Sequence, residues 1–343
     1  MDHFVSIIVP IRDEVEHIQE FLDSLEAQDF PKGQCEVFLM DGMSRDGTRN
    51  IIHEFMEDKP RYRLIDNPEK VVPFALNRAI RESKGDVIIR LDCHCEYPND
   101  YISRLVKALF ELDADNVGGV WKTEPGDGSA TARAIVLATT SAFGIGNAAY
   151  RFSEQDDATP KKVDTVPYGC YRREVFDRIG LFDEDLVRNQ DDEFNGRLIK
   201  NGGKIFLLPD LKIIYYARSS ARMMARMFYE YGLFKPLVNK KLRSPATTRQ
   251  FFPLGLVLFT LLCVPVYLFL PSLRWAGTAL WVLYGGAAII SAWSATNDNR
   301  SLFFPVLFLF PLIHFSYGWG YLKGLVWTYL SPGEFKKVSK PNR

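Results

Sequence analysis

Two short stretches hold side chains whose types and spacing could do chemistry. Asp92-Cys93-His94-Cys95 follows the apolar run Val87-Ile88-Ile89-Arg90-Leu91. In an extended chain, residues two apart point the same way, so the Asp92 carboxylate and the His94 imidazole can share a divalent cation. A zinc site begun by Cys93-His94-Cys95 and a merely structural His94 are the competing readings. Zinc lacks a second Cys-x-x-Cys or a His-x-x-x-His nearby, the remaining cysteines being single. The second stretch is Asn189-Gln190-Asp191-Asp192-Glu193, which enters the helical pattern Phe194, Leu198, Ile199 and ends at Gly202-Gly203. Acids at a helix N-terminus are favoured by the dipole at about 0.3 to 1 kcal/mol, which accounts for Asp191 and Asp192 without any function. The functional reading needs a general base, a fixed carboxylate that takes the proton of an attacking hydroxyl.

These residues need a scaffold, and the N-terminal half supplies its pattern. Strands are predicted at Val5 to Val9, Glu36 to Met40, Tyr62 to Ile65 and Asp86 to Leu91, each followed by a turn-rich and then a helical stretch. Val15, Ile18, Phe21, Leu22 and Leu25 recur at helical spacing after the first strand and predict a helix packed on the sheet. Such βαβ alternation implies an α/β fold with a mainly parallel sheet, whose ligands collect at the carboxyl ends of the strands. Asp13-Glu14, Asp41 and Asp92 follow three of those ends and would converge on one crevice. Crowded acids repel unless a cation or donor groups offset them, and a metal on a nucleoside diphosphate would do so. Asp41, in Asp41-Gly42-Met43-Ser44-Arg45-Asp46-Gly47-Thr48, can face that ligand. Asp-Gly also makes ordinary turns, and Asp46 or Thr48 can simply cap the next helix.

The 343 residues suggest about two domains, and 42 basic against 42 acidic side chains with 47% hydrophobic residues exclude a disordered or fibrous chain. The average hides a division. Phe251 to Pro271 and Trp275 to Asn297 contain no Asp, Glu, Lys or Arg, and His314 is the only ionisable group besides tyrosine between Ser301 and Leu322. These lengths match the ~20 residues that cross a bilayer, which excludes a purely soluble chain. The expected organisation is a cytoplasmic domain over 1–210, a basic amphipathic segment over 211–250, about three apolar segments over 251–331 and a basic tail over 332–343. Between Lys212 and Arg249, nine Lys or Arg face a single acid, Glu230, interleaved with Met223, Met224, Met227, Phe228, Tyr231 and Phe234. That composition suits a helix on an anionic membrane surface; a solvated linker is the bland alternative, and nucleic acid is a weaker rival. An odd count of five cysteines does not resemble a disulfide framework, and the start lacks the basic region of a cleaved signal peptide. Three full crossings would place Lys336, Lys337, Lys340 and Arg343 outside, against the positive-inside rule, while Pro305 and Pro311 leave a broken or re-entrant third segment open. In that segment the glycines of His314-Phe315-Ser316-Tyr317-Gly318-Trp319-Gly320 either pack helices or touch a lipid.

The run Ser6 to Glu14, the Asp41 to Thr48 segment, Arg90 to His94 and Asn189 to Glu193 together resemble family 2 glycosyltransferases with the A-type (GT-A) nucleotide-sugar fold. Phe143-Gly144-Ile145-Gly146-Asn147, Val163 to Arg173 and Tyr215-Tyr216-Ala217-Arg218-Ser219 narrow the likeness to membrane-associated, succinoglycan-type exopolysaccharide glycosyltransferases. The resemblance covers roughly residues 4 to 235. It implies inverting transfer from a nucleotide sugar, with a UDP-hexose such as UDP-glucose as the first expectation. Pro10, Asp13, Glu14, Asp41 and Asp92 would bind the donor nucleotide, and Asp92 with His94 would hold Mg²⁺ or Mn²⁺. Asp191 matches the catalytic base, with Gln190, Asp192 and Glu193 supporting it. Two departures stand out: Asp-x-His replaces the common Asp-x-Asp, and Gln190 replaces the usual Glu. An imidazole shifts preference towards Mn²⁺ and weakens metal binding at acid pH. The cysteine usage, the start of the chain and the apolar segments lead to the expectation of a multi-pass protein of the inner (plasma) membrane with its catalytic domain cytoplasmic. Its acceptor would be a polyprenyl-diphosphate-linked sugar, alongside membrane lipids and other polysaccharide-assembly enzymes. Arg218, Arg222 and Arg226 would meet that diphosphate or, equally, phospholipid headgroups. A nucleotide-sugar sensor regulating a transport assembly without catalysis is the rival class, and product formation separates the two. A processive synthase is disfavoured because three apolar segments offer few helices for a channel.

Overall fold

The computed structural model describes residues 3–146, 150, 158–245 and 247–338, so Asn147, Lys340 and Arg343 lie outside the described residues. Strands β1 (Val5–Ile11), β2 (Cys35–Asp41), β3 (Tyr62–Asp66) and β4 (Val87–Arg90) stand where the apolar runs predict them. They pair in parallel in the order β3-β2-β1-β4. Along β1 the side chains alternate between two cores. Val5, Ile7 and Val9 join one with α1 (Ile18–Glu26), α2 (Thr48–Met56) and, further along the chain, α4 (Tyr101–Glu111). Ile8 joins the other with α3 (Val72–Glu82). The stripe Ile18, Phe21, Leu22 and Leu25 is the buried face of α1, each side chain worth about 1.5–3 kcal/mol. Val15 precedes the helix and is exposed.

Beyond β4 the pairing turns antiparallel. After β5 (Cys95–Glu96) come β6 (Asn116–Pro125), β7 (Lys161–Lys162), β8 (Cys170–Arg172) and β9 (Ile205–Ala217). The sheet order is β3-β2-β1-β4-β8-β6-β9-β5, with β7 on β9, and β8 antiparallel to both β4 and β6. Helices α5 (Ala130–Thr139) and α6 (Ala142–Ile145) follow β6, while α7 (Arg173–Ile179) and α8 (Gln190–Lys200) lie between β8 and β9. β9 runs to Ala217, past the boundary expected at residue 210.

Two compact units result: residues 1–122, 149–215 and 333–343 form the first, and 123–148 with 216–332 the second. The second holds α9 (Ala221–Leu242), α10 (Phe251–Phe269), α11 (Arg274–Ala295) and α12 (Phe303–Tyr329), and α13 (Gly333–Val338) opens the tail grouped with the first. Three spans, Phe251–Phe269, Pro271–Ala295 and Arg300–Tyr329, are long and apolar enough to cross a membrane. Helix α9 buries Met224, Phe228, Leu233, Phe234 and Val238 and packs along α12. That contact is at backbone distance: a Cβ on Gly320 would strike the Tyr229 carbonyl, one on Gly232 that of Tyr317, and one on Gly324 that of Leu233. Of the two readings of the glycines near His314, helix packing is therefore the one observed.

Candidate active site

Every predicted strand-end acid of the first unit sits at the carboxyl edge of the parallel strands. Pro10 is on β1 beyond its pairing with β4, which ends at Ile8 and Arg90, so its missing N–H costs no bond on that side. The loops after β1 and β2 are laced together. Ser44 Oγ accepts from Asp13 N at 2.8 Å and donates to Asp41, Thr48 Oγ1 accepts from Glu14 N at 2.8 Å, and Asp13 accepts from Arg45 N at 3.0 Å. Asp41 is fully buried and also takes Arg49 Nη1 at 2.5 Å, which reaches Asp66 at 2.7 Å. Asp46 accepts from Thr48 N and Val15 N at 3.0 Å, a local role at the start of α2.

A continuous chain of charged groups runs along the edge. Glu14 Oε2 lies 3.1 Å from His94 Nδ1, and His94 Nε2 lies 3.3 Å from Asp92 Oδ1. Asp92 Oδ2 is 3.6 Å from Arg90 Nη2, and Arg90 Nη1 donates to both Asp191 oxygens at 2.8 Å. The alternation across Asp92 to Cys95 is as the extended reading requires. Cys93 and Cys95 turn into the core, and burial pushes the Cys95 thiol up to about 12 while Tyr168 OH lies 3.1 Å from its sulfur. Buried protonated thiols are poor zinc ligands, which leaves Asp92 and His94 as the donor pair. Nε2 of the ring faces Asp92, and the Glu14 carboxylate behind the ring at Nδ1 is the usual support of a metal-binding imidazole. The pair fits a divalent ion that brings its other ligands with it. Among the described residues no three His, Cys, Asp or Glu side chains form a closed metal site.

Arg90 is the residue that sequence reasoning passed over. It closes the apolar strand β4 with 9% of its side chain exposed, and its Nε has no hydrogen-bond partner among the described residues. Burial opposes its charge, but Asp191 and Asp92 outweigh that and hold the guanidinium protonated. A lone arginine in the run Val-Ile-Ile-Arg-Leu was the available signal, since a buried charge demands partners. Tyr168 lies 5.6 Å beneath it in a left-handed conformation (φ 61), followed by Gly169 (φ 62), where a Cβ would enter the Tyr171 ring. Gly169 O accepts from Arg90 N at 3.1 Å, so this strained corner seats the arginine.

Asp191 occupies the first turn of α8, one-third exposed. Burial raises its pKa and Asp192 adds to that, while Arg90 pulls it back. The helix is anchored behind it. Phe194 stacks on Phe182 at 4.3 Å, and Asn195 bonds Asn116 at 3.0 Å and Thr165 at 2.8 Å. Glu193 is buried and paired with Arg197 at 2.9 Å, a bracing role within α8. Gln190 is buried and Asp192 half-buried in the same turn. Arg218, Arg222 and Arg226 are exposed members of the second unit; Arg222 and Arg226 share one face of α9, and Arg226 pairs with Glu230 at 2.9 Å.

Acids gathered at the carboxyl edge of a parallel-then-antiparallel sheet, with an arginine-held carboxylate beside them, are the arrangement of a GT-A fold. Residues 6–180 match the model of glycosyl transferase family 2, and the chain belongs to that family. It is 30% identical to the succinoglycan biosynthesis protein ExoA of Rhizobium meliloti over 73% of this chain and 74% of that one. It is also 25% identical, over 94% of this chain and 98% of the relative, to a Methanococcus voltae enzyme. That enzyme is named dolichyl N-acetyl-α-D-glucosaminyl phosphate 3-β-D-2,3-diacetamido-2,3-dideoxy-β-D-glucuronosyltransferase. Among solved structures, the mannosyltransferase PcManGT of Pyrobaculum calidifontis superposes with a TM-score of 0.60 at 19% identity, over 95% of this chain and 88% of its own. The GT-A fold expected from the sequence is thus the fold observed, and the protein is a glycosyltransferase.

Proposed function

We propose that this protein is a membrane-bound, inverting glycosyltransferase that moves a hexose from a nucleotide sugar, UDP-glucose first, to a polyprenyl-linked sugar in surface polysaccharide assembly. The observation that carries the reading is the Asp191–Arg90–Asp92 bridge, which ties a carboxylate at a helix N-terminus to the donor pair at the sheet edge. Asp191 takes the proton of the acceptor hydroxyl as that oxygen bonds to the anomeric carbon and the nucleoside diphosphate departs with the electrons of the old bond. Its raised pKa makes it a better base than an ordinary surface aspartate. Asp92 and His94 would hold a divalent ion, which supplies positive charge to the diphosphate oxygens. Arg90 fixes Asp191 in position by donating from Nη1 to both of its oxygens. Pro10, Asp13, Glu14 and Asp41 line or brace the nucleotide end. The name of the Methanococcus relative, with its dolichyl-phosphate-linked sugar, supports a lipid-linked acceptor, and the three apolar helices support a membrane site for it. Orientation with the catalytic unit in the cytoplasm follows from the basic residues that precede α10.

The test is transfer by detergent-solubilised protein, using UDP-glucose and other nucleotide sugars, a lipid extract as acceptor, and Mn²⁺ or Mg²⁺ added or chelated. Asp191→Asn should abolish most transfer with donor binding near normal. Turnover at the parental rate would remove Asp191 from the mechanism.

A further inference from the structure

The apolar length of α12 marks it as a third crossing, but its packing does not fit one. We infer that α12 lies with α9 at the cytoplasmic face of the bilayer, so that the α10–α11 hairpin alone crosses it and both ends of the chain stay on one side. The two helices run side by side in the same direction. Phe304 to Leu309 share a cavity with Ala221, Tyr229 meets Gly320, Gly232 meets Tyr317, and Lys240 Nζ donates to the Thr328 carbonyl at 3.1 Å. The contact spans nearly the whole 27 residues of α12, about 40 Å at ~1.5 Å per residue. Wherever α12 goes, α9 goes too. Helix α9 carries Arg222, Arg226, Glu230, Lys235, Lys240 and Lys241, a load no membrane-crossing segment bears in hydrocarbon.

Contacts with α10 point the same way. α12 meets α10 near the start of that helix, with His314 on Phe252, Tyr321 on Phe251, and Gly318 against the Pro253 carbonyl and Val257, while Trp293, Tyr284 and Trp281 of α11 lie against Phe303, His314 and Phe315 in the first half of α12. Residues seven apart on α12 thus touch neighbouring residues of α10, which describes a crossing of axes rather than parallel spans. The outer part of the hairpin projects beyond, with Leu268, Phe269, Trp275 and Val282 each at least 65% exposed. Its 19- and 22-residue helices are long enough to cross alone. On α12 the exposed Phe304, Phe308, Trp319, Val326 and Leu330 fall on one helical stripe, the face that an interfacial helix sinks into the acyl boundary while its basic neighbour holds the headgroups. Finally, α13 (Gly333–Val338) belongs to the same compact unit as Asp191, and a bilayer cannot separate the two. With α12 on that side, the basic residues that the sequence carries after Pro332 no longer conflict with charge asymmetry.

Sidedness mapping in a bacterial host tests this. All five native cysteines are buried, so single Ser272→Cys and Ser331→Cys variants can be labelled with a membrane-impermeant maleimide in intact cells and after lysis. N- and C-terminal tags are probed in parallel by protease and antibody. The expected result is Cys at 272 labelled from outside, Cys at 331 labelled only after lysis, and both termini inside. Labelling of 331 from outside with the N-terminus inside establishes three crossings and overturns the inference. A 272 site that stays protected in intact cells and reacts after lysis overturns it too, because the hairpin then fails to cross. An N-terminus outside would instead defeat the cytoplasmic orientation of the proposed function, while both termini on one side would still support two crossings.

Discussion

At the scale of single residues, Asp191 is worth no more than the geometry that holds it. Burial raises its pKa and Arg90 lowers it. Removing Arg90 should therefore raise it further, and because only the ionised form accepts a proton, activity must then be lost from the acid side first. We expect Arg90→Gln to cut transfer roughly 10²-fold or more near neutrality and to move the acid limb of the kcat/KM profile upward. Arg90→Lys, which keeps the charge but not the two-pronged grip, should fall between. An unmoved acid limb would mean that Arg90 is not the counter-charge. His94→Asp makes a second prediction, because it restores two carboxylates: the ratio of Mg²⁺- to Mn²⁺-supported transfer should rise, measured with each ion after chelation. Much of this site was legible, since strand ends announce themselves by apolar runs and acids follow them. Arg90 was not, because a residue read as part of a strand hides its partners until α8, a hundred residues later, is folded beside it. Glu193, expected beside the base, is also at i,i+4 spacing to Arg197, and that pairing was legible in the sequence.

Elements differ in how much of their position is local. β1 to β4 and the α1 stripe follow from periodicity, whereas β5, β7 and β8 are two or three residues long and exist only through pairing with distant strands, as Cys170 with Ile89 and Val117. The partner of α9 was equally invisible, because a basic, methionine-rich helix reads alike whether its apolar face meets lipid or α12. That contact gives a paired prediction. Gly320→Ala puts a methyl into the Tyr229 carbonyl and should lower stability by about 1–3 kcal/mol, while Gly285→Ala, with nothing within 4 Å, should be neutral or slightly stabilising. Thermal unfolding in one detergent compares them, and equal shifts would refute the close packing. The α1–β3 junction offers a pH test. Burial opposes the Glu26 charge, but Arg61, Lys32 and Tyr62 bond it and hold its pKa down at about 2, from 4.5. A depressed carboxylate stabilises the fold above the unfolded value, and this is lost as pH falls from 4.5 towards 2. Solvent screening leaves roughly 1–2 kcal/mol. Glu26→Gln should thus lower the melting temperature at pH 7 and progressively less as the pH falls below 4.5, parent and variant converging only below about pH 2.

For the whole molecule, the proposed topology gives anchoring and orientation to different parts. The α10–α11 hairpin carries no charge from Trp275 to Asn297 or from Phe251 to Pro271, and burying that much apolar helix is effectively irreversible in water. The basic residues of α9 add only an electrostatic bias, roughly 1 kcal/mol for each charge near an anionic surface, and salt screens it. The two contributions should therefore separate by experiment. Washing membranes with 1 M salt or carbonate should release none of the protein, because the hairpin holds it. In proteoliposomes, replacing anionic lipid by zwitterionic lipid should leave the protein inserted but reduce transfer to a lipid-borne acceptor several-fold. High salt should reproduce that loss in anionic vesicles and change nothing in zwitterionic ones. A water-soluble acceptor supplies the control, since its rate should follow neither lipid charge nor salt. If both acceptors respond equally, the effect lies in donor binding or chemistry. If salt strips the protein from the membrane, the apolar hairpin is not inserted.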